Sequence, residues 1–179
     1  MLSDAMNEAV MRTVIQNMRR MKADPQDITA RGELAWASSV AELGILKLGR
    51  RTDFQNHMIE HQLGAYTNCG HGAGLAVLHP VVYRHICKEA PQQFARFARE
   101  LFGIGTEAAG EDGEKRAAEK GVGALADFIR EMGLPTSFRA LSIKDSTKFR
   151  EIAESVRLMP GCVHHFSAEE IYRILLACM

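Results

Sequence analysis

Apolar residues recur at steps of three and four along nearly the whole chain, and this periodicity restricts the fold more than any other feature. In the first segment, from Ser3 to about Lys22, they are Ala5, Ala9, Val10, Val14, Ile15, Met18 and Met21. Such spacing places these side chains on one face of an α-helix. The marks of β-strands, period-two alternation and turn-bounded runs of Val, Ile and Thr, are missing. The sequence predicts an all-α fold, with residues 1–179 as a single multi-helix domain of about seven to eight helices.

Turn residues and capping patterns give the expected helix boundaries. Beyond the first helix, they predict helices over residues 29–48, 53–67, 71–88, 91–102, 114–132, 145–159 and from 167 onward. Thr52 with Gln55, and Ser167 with Glu170, match the capping box that begins a helix. Residues 106–113 are expected to form an acidic loop. Trp36 is expected in the core.

Charge and cysteine usage exclude several classes of partner. The chain has 22 basic and 22 acidic side chains, so a net charge of zero gives no reason to expect nucleic acid or an anionic membrane. No apolar run approaches the ~18 residues of a membrane-spanning helix. The four cysteines have no paired C-x-x-C spacing, and the N-terminus lacks the pattern of an export signal. A cytoplasmic protein with reduced thiols is expected.

Three histidines within fifteen residues form the strongest chemical signal. His57 and His61 are four residues apart, so on a helix they lie one above the other on the same face. Residues 69–72 predict a turn, after which His71 begins the next helix. Two antiparallel helices joined by a short turn could return His71 to the level of His57, as metal sites in helix bundles require.

Three interpretations of this stretch are open from the residues alone. Converging neutral imidazoles are common ligands for zinc and are also suited to iron. The run from His57 to His61 also fits H-x-x-E-H, the inverted zinc-peptidase motif, with Glu60 as general base. The third interpretation is a helix with two partly exposed histidines and no bound metal.

The remaining histidines carry weaker signals. His79 and His85 are expected to be polar surface groups or to support the ligands, and His164 with His165 resembles a loop pair. Cys69, two residues before His71, is a possible substitute ligand.

Several segments together resemble a known family. They are His57 to Ala65 (HMIEHQLGA), His71 to Ala76 (HGAGLA) with Pro80, Met11 to Ile15, Ala30-Arg31, Ala35 to Ala37, and Met132 to Thr136. These segments are similar to the C-terminal helical domain of the iron-containing alcohol dehydrogenases, in the branch of butanol dehydrogenases and aldehyde reductases. The resemblance implies the helical domain of the dehydroquinate synthase-like fold.

The resemblance also implies roles for the three histidines. His57 and His71 match metal ligands of the family, whose metal is Fe²⁺ or in some members Zn²⁺. His61 matches a histidine that lines the substrate and nicotinamide side and relays protons. The implied reaction passes hydride between an alcohol or aldehyde and NAD(P), while the metal polarises the substrate oxygen.

The chain departs from the family pattern at its N-terminal end. The family has two further ligands in a D-x-x-x-H motif, but here Asp4 is followed by Glu8. The family's N-terminal α/β domain, with its glycine-rich nucleotide-binding turn, is also expected to be absent. Gly103, Gly105 and Gly110 do not make a dinucleotide fingerprint, because the last spacing is wrong and a predicted helix precedes them. We therefore expect the C-terminal portion of a dehydrogenase, from a truncated reading frame or an excised domain, that is inactive without its N-terminal domain.

Two other functions are kept as alternatives. One is a non-enzymatic helical module that binds metal or a partner, and an apolar surface left uncovered by the missing domain would favour self-association into a homo-oligomer. The other is the H-x-x-E-H zinc peptidase, which lacks an evident third ligand and leaves His71 unexplained.

Overall fold

The computed structural model describes residues 2–105 and 110–179, which form eight α-helices, two short 3-10 helices and no β-strand. The α-helices are α1 (Leu2–Ala23), α2 (Ile28–Glu42), α3 (Gln55–Thr67), α4 (His71–Ile86), α5 (Pro91–Phe102), α6 (Glu111–Glu131), α7 (Phe149–Ser155) and α8 (Ala168–Ala177). The 3-10 helices are Ile45–Lys47 and Phe138–Leu141. The all-α prediction is confirmed. Among the described residues, no helix is both long and apolar enough to cross a membrane.

One of the two predicted capping boxes is present. In α8, the Glu170 amide donates to Ser167 Oγ at 3.3 Å, and the Glu170 carboxylate accepts from the Ser167 amide at 2.8 Å. The box predicted at Thr52 and Gln55 is wrong, because α3 begins only at Gln55. The Asp53 carboxylate accepts both the Gln55 amide at 3.0 Å and the Gln55 side-chain Nε2 at 2.7 Å, so that side chain has a different partner.

Helix α2 differs most from its prediction. It ends at Glu42 rather than near residue 48, and Gly44 then adopts a left-handed conformation with φ of 77°. Only the small side chains of Ala30 and Ala37 are buried on this helix. Trp36 is 65% exposed, so its predicted place in the core is wrong. The helix packs against α1, with Leu34 and Val40 half-buried and Ile28 and Trp36 exposed.

Three other boundaries shift by several residues. Helix α6 begins at Glu111, so residues 111–113 of the predicted acidic loop are helical, while residues 106–109 lie outside the described residues. Helix α7 covers only Phe149–Ser155 of the predicted segment 145–159. These differences affect helix ends and leave the order of the helices as expected.

Helix α4 lies at the centre of the main core and packs against α3, α6 and α8. Its side chains Leu78 and Val82 are fully buried, as are Ile59 and Leu63 on α3. Burying four such side chains stabilises the α3–α4 pair by several kcal/mol, at about 1.5–3 kcal/mol each. The two helices that carry the histidines are therefore fixed by a packed hydrophobic core.

Helices α5 and α6 run against each other at close range. A Cβ atom built on Gly121 would lie 2.6 Å from the Cβ and 3.1 Å from the Cα of Ala98. Only a residue without a side chain fits at this contact. The pair packs on α4 through α6, which completes the support of the central helix.

Candidate metal centre

The three histidines predicted to converge do so in the structure. On α3, the ring centroids of His57 and His61 are 6.2 Å apart. Helix α3 ends at Thr67, the next residue Asn68 adopts a left-handed conformation with φ of 55°, and α4 begins at His71. This short turn returns the His71 ring to 5.4 Å from His57 and 5.2 Å from His61, measured between centroids.

The three rings differ in their exposure to solvent. His57 is partly buried, whereas His61 is exposed and the side chain of His71 is 51% exposed. Burial lowers the pKa of His57, and the neighbouring His71 and His61 lower it further through charge repulsion. A lowered pKa favours the neutral imidazole, which is the form that binds a metal ion.

A fourth histidine, His79, lies beside the cluster, and the sequence predicted it only as a polar surface group or a support for the ligands. Its ring is 6.4 Å from that of His57, and its Nδ1 contacts the Leu75 carbonyl oxygen at 2.9 Å. Burial lowers the pKa of His79 to about 4, so the ring is neutral. The eight-residue spacing from His71, two turns of one helix, is the signal that could have indicated this position.

The other predicted histidines lie elsewhere. His85 is exposed, and its ring lies 6.1 Å from that of Phe166. His164 Nε2 pairs with the Glu170 carboxylate at 3.0 Å, and His165 is an exposed loop residue. Glu170 in turn caps α8, which accounts for the position of His164 without a metal.

Glu60 is the carboxylate closest to the cluster. Its side chain is 2% exposed, and its Oε2 contacts Nδ1 of His71. Candidate ligand atoms of Glu60, His61 and His71 lie within 4.8 Å of one another. Cys69, considered as a substitute ligand, has its Sγ 3.9 Å from Glu60 Oε1.

These donors fit a first-row divalent metal. The converging donors of Glu60, His61 and His71 are two imidazoles and one carboxylate, which supply nitrogen and oxygen ligands that iron and zinc accept. His57, predicted as a ligand, is not part of this group, although its ring lies 5.4 Å from that of His71. His61 and His71 lie on the solvent-exposed side of the cluster. The general base of a zinc peptidase must reach a metal-bound water. The buried Glu60 carboxylate contacts His71 instead, which argues against the peptidase interpretation.

A cavity of about 330 Å³ adjoins His57. Its lining side chains are Met11, Asp53, Phe54, Asn56, His57, His79, Tyr83, Ile86, Gln93, Phe94, Phe97 and Val163. Burial raises the pKa of Tyr83 to about 12, with a further contribution from the charge of Asp53, so its hydroxyl keeps its proton. The volume is at the lower end for small-molecule sites, which are typically ~300–1,000 Å³.

Comparison of the sequence with protein-family profiles identifies the family of this chain. A sequence profile described as "Fe-containing alcohol dehydrogenase family, C-terminal" matches residues 1–179, the whole chain. The chain belongs to the iron-containing alcohol dehydrogenase family. The resemblance of the histidine segments is thereby confirmed, and membership favours a dehydrogenase origin over the zinc peptidase.

Individual members of the family support this assignment. The chain is 32% identical over 177 residues to NADH-dependent butanol dehydrogenase B of Clostridium acetobutylicum, covering 97% of this chain and 45% of that protein. It is 32% identical over 142 residues to a probable NADH-dependent butanol dehydrogenase of Bacillus subtilis, covering 79% of this chain and 36% of that protein. The chain therefore spans about half, or less, of the length of these iron-containing alcohol dehydrogenases.

A solved structure of the family shows the same fold. The crystal structure of NADH-dependent butanol dehydrogenase A from Thermotoga maritima superposes with a TM-score of 0.87 at 28% identity. The match covers 99% of this chain and 46% of that one. The eight described helices thus have the same fold as the matched part of that dehydrogenase.

Proposed function

We propose that this chain supplies the metal-binding, helical half of an active site that interconverts alcohols and aldehydes with NAD(P). His57 and His71 would hold the metal, and His61 would line the substrate side. The observation that supports this most is the convergence of the three rings, 5.2 to 6.2 Å apart, in a chain of this family. Residues 1–179 would act as a single domain.

The proposed metal is Fe²⁺, with Zn²⁺ as the alternative. When bound, either ion would act as a Lewis acid toward the substrate oxygen. His57 is suited to bind it because a lowered pKa favours its neutral form. His71 presents its ring from the first residue of α4, where the packed core fixes the backbone.

His61 would handle protons and leave the metal to the other two rings. It is one turn along α3 from His57, and it is exposed, so it can exchange protons with solvent. A proton relay needs a side chain that can both accept and donate a proton, and imidazole has one ring nitrogen for each role. In this arrangement, His57 and His71 hold the reacting centre and His61 connects it to water.

The cavity beside His57 would accommodate a small alcohol or aldehyde. Its walls include the aromatic rings of Phe54, Phe94 and Phe97, which favour an apolar chain. Asn56 and Tyr83 add polar groups to the cavity lining. The named relatives are butanol dehydrogenases, and a four-carbon chain fits comfortably within about 330 Å³.

The coenzyme site would come from outside this chain. The relatives named above are NADH-dependent, and about half of their length has no counterpart in residues 1–179. We propose that NAD(P) binds the N-terminal domain and that the chain by itself is inactive. A cytoplasmic location, self-association, and the absence of nucleic-acid or membrane partners remain predictions.

Metal content tests the proposal directly. The chain and its variants His57→Ala and His71→Ala would be loaded anaerobically with Fe²⁺ or Zn²⁺, desalted and measured by mass spectrometry. The control is His85→Ala, which removes an exposed histidine outside the cluster. We expect bound metal in the wild type and the control, and a loss in both cluster variants. Equal retention in all four proteins would refute the assignment of the ligands.

An activity assay separates the enzyme from the metal-binding module. The wild type, loaded with metal, would be mixed with NADH and butyraldehyde. We expect the isolated chain not to oxidise NADH. We expect NADH oxidation when the N-terminal half of a related butanol dehydrogenase is added. Bound metal with no activity under either condition would favour a non-enzymatic metal-binding module.

A further inference from the structure

A buried carboxylate lies between the two histidine helices. Glu60 is on α3, next to His61, yet its side chain is 2% exposed whereas His61 is exposed. A carboxylate removed from water requires hydrogen-bond partners to offset its desolvation. The contacts of the Glu60 carboxylate are Nδ1 of His71 and, more distantly, Sγ of Cys69 at 3.9 Å.

The backbone of α4 leaves space for this carboxylate. A Cβ atom built on Gly74 would lie 2.7 Å from Oε1, 2.9 Å from Cγ and 3.2 Å from Cδ of Glu60. Gly74 is three residues after His71, on the turn of α4 that faces α3. Any side chain at Gly74 would therefore displace the carboxylate from its place beside the His71 ring.

We propose that Glu60 is a positioning residue that fixes the tautomer and orientation of His71. A carboxylate accepts hydrogen bonds, so His71 carries its proton on Nδ1 and has a free lone pair on Nε2. Histidines that bind metals commonly donate their other ring N–H to a carboxylate, which orients the ring and makes it a better ligand. Glu60 thus acts on the metal through His71. This inference rests on the proposed role of His71 as a ligand.

The alternative, that Glu60 itself binds the metal together with His71, is less consistent with the geometry. Its oxygen already contacts Nδ1 of His71, and α4 encloses its other oxygen at Gly74. A shared metal at Nδ1 would have to separate the two groups. With Nδ1 occupied, Nε2 is the ring nitrogen left to bind a metal.

The tautomer of His71 can be measured in the metal-free protein. Long-range ¹H–¹⁵N correlation spectra at alkaline pH distinguish a protonated ring nitrogen from an unprotonated one. We expect the Nδ1–H form of His71 in the wild type, its loss in Glu60→Ala, and its retention in Glu60→Gln, because the amide oxygen still accepts. A wild-type His71 in the Nε2–H form, or a tautomer that does not respond to Glu60→Ala, would overturn the inference.

A pair of glycine variants provides a second test if Glu60→Ala does not fold. Gly74→Ala places a methyl group against the carboxylate, whereas Gly72→Ala, in the same helix, meets nothing within 4 Å. Zn²⁺ affinity would be measured by competition with a chromophoric chelator. We expect Gly74→Ala and Glu60→Ala to bind ~10–100-fold more weakly than wild type, the range seen when such supporting partners are removed. Gly72→Ala should bind as wild type does, and equal affinities for the two glycine variants would contradict the inference.

The two readouts also separate this inference from the proposed function. If the wild type binds no Zn²⁺ but His71 has the Nδ1–H form and loses it in Glu60→Ala, the role of Glu60 stands and the metal site fails. If the wild type binds Zn²⁺ but Glu60→Ala changes neither the tautomer nor the affinity, the metal site stands and the role of Glu60 is refuted.

Discussion

The contact between α5 and α6 gives a sharp test of the packing. Gly121 faces Ala98 so closely that an added Cβ would lie 2.6 Å from the Ala98 Cβ and 3.1 Å from its Cα. These are backbone-anchored atoms, so a rotamer change cannot relieve the overlap. In Gly121→Ala, the two helices must move apart. Gly123 is on the same helix, and a Cβ there meets nothing within 4 Å, so Gly123→Ala is the matched control.

The expected magnitudes follow from two opposing effects. Alanine is favoured over glycine within a helix by about 1 kcal/mol, and both variants gain this. Overpacking a tight contact costs about 1–3 kcal/mol, and only Gly121→Ala incurs it. Gly123→Ala should therefore raise the free energy of unfolding by about 0.5–1 kcal/mol, the usual effect at an open helical site. Gly121→Ala should lie below the control by about 1–3 kcal/mol.

Urea denaturation followed by far-ultraviolet circular dichroism measures this difference. Both variants change one glycine to alanine in one helix, so effects on the unfolded chain cancel to first order. Equal stabilisation of the two variants would show that α5 and α6 do not approach as closely as described. It would also weaken the account of how α6 supports α4.

Three further predictions concern other contacts. Phe149→Ala removes a ring that is 1% exposed and should lower the free energy of unfolding, measured by urea denaturation, by about 3–5 kcal/mol; a loss below about 1 kcal/mol would contradict its burial. Arg96→Ala leaves the buried Glu8 carboxylate without the guanidinium now 2.5 Å away, and should lower the urea midpoint of unfolding; an unchanged midpoint would show that the pair contributes nothing. Hydrogen bonds from Ser167 lower the pKa of Glu170 from 4.5 to about 2. The ionised Glu170 carboxylate therefore stabilises the fold fully above pH 4.5, and this stabilisation is lost as the pH falls toward 2. The free energy of unfolding should therefore fall less steeply between pH 4.5 and 2 in Glu170→Gln than in wild type. Parallel curves for the two proteins would refute this role of Glu170.

Local sequence patterns predict much of this fold. The helices follow from three- and four-residue periodicity, and the Ser167–Glu170 box gives the start of α8 correctly. The convergence of His57 and His71 also follows from local rules, because a short turn joins the two helices that carry them. Features set within one helix or one turn are those that a sequence specifies most directly.

Features that depend on how helices pack were not predictable in the same way. Trp36 is exposed because the fully buried face of α2 holds only Ala30 and Ala37, and no local pattern shows which face of a helix lacks a partner. The contact of Glu60 with His71 depends on the register between α3 and α4 and on the space at Gly74. The sequence offered Glu60 only as a peptidase base, since that motif can be recognised without knowing the packing.

The exposure of Trp36 also determines what fluorescence can report. It is the single tryptophan of the chain, and at 65% exposure it already emits from a largely aqueous environment. Its emission should change little when the core melts, although the helical signal disappears. A protein surface that covered the outer face of α2 would instead shift the emission to shorter wavelength. Trp36 is therefore a built-in, label-free reporter of docking on α2 and a poor reporter of unfolding.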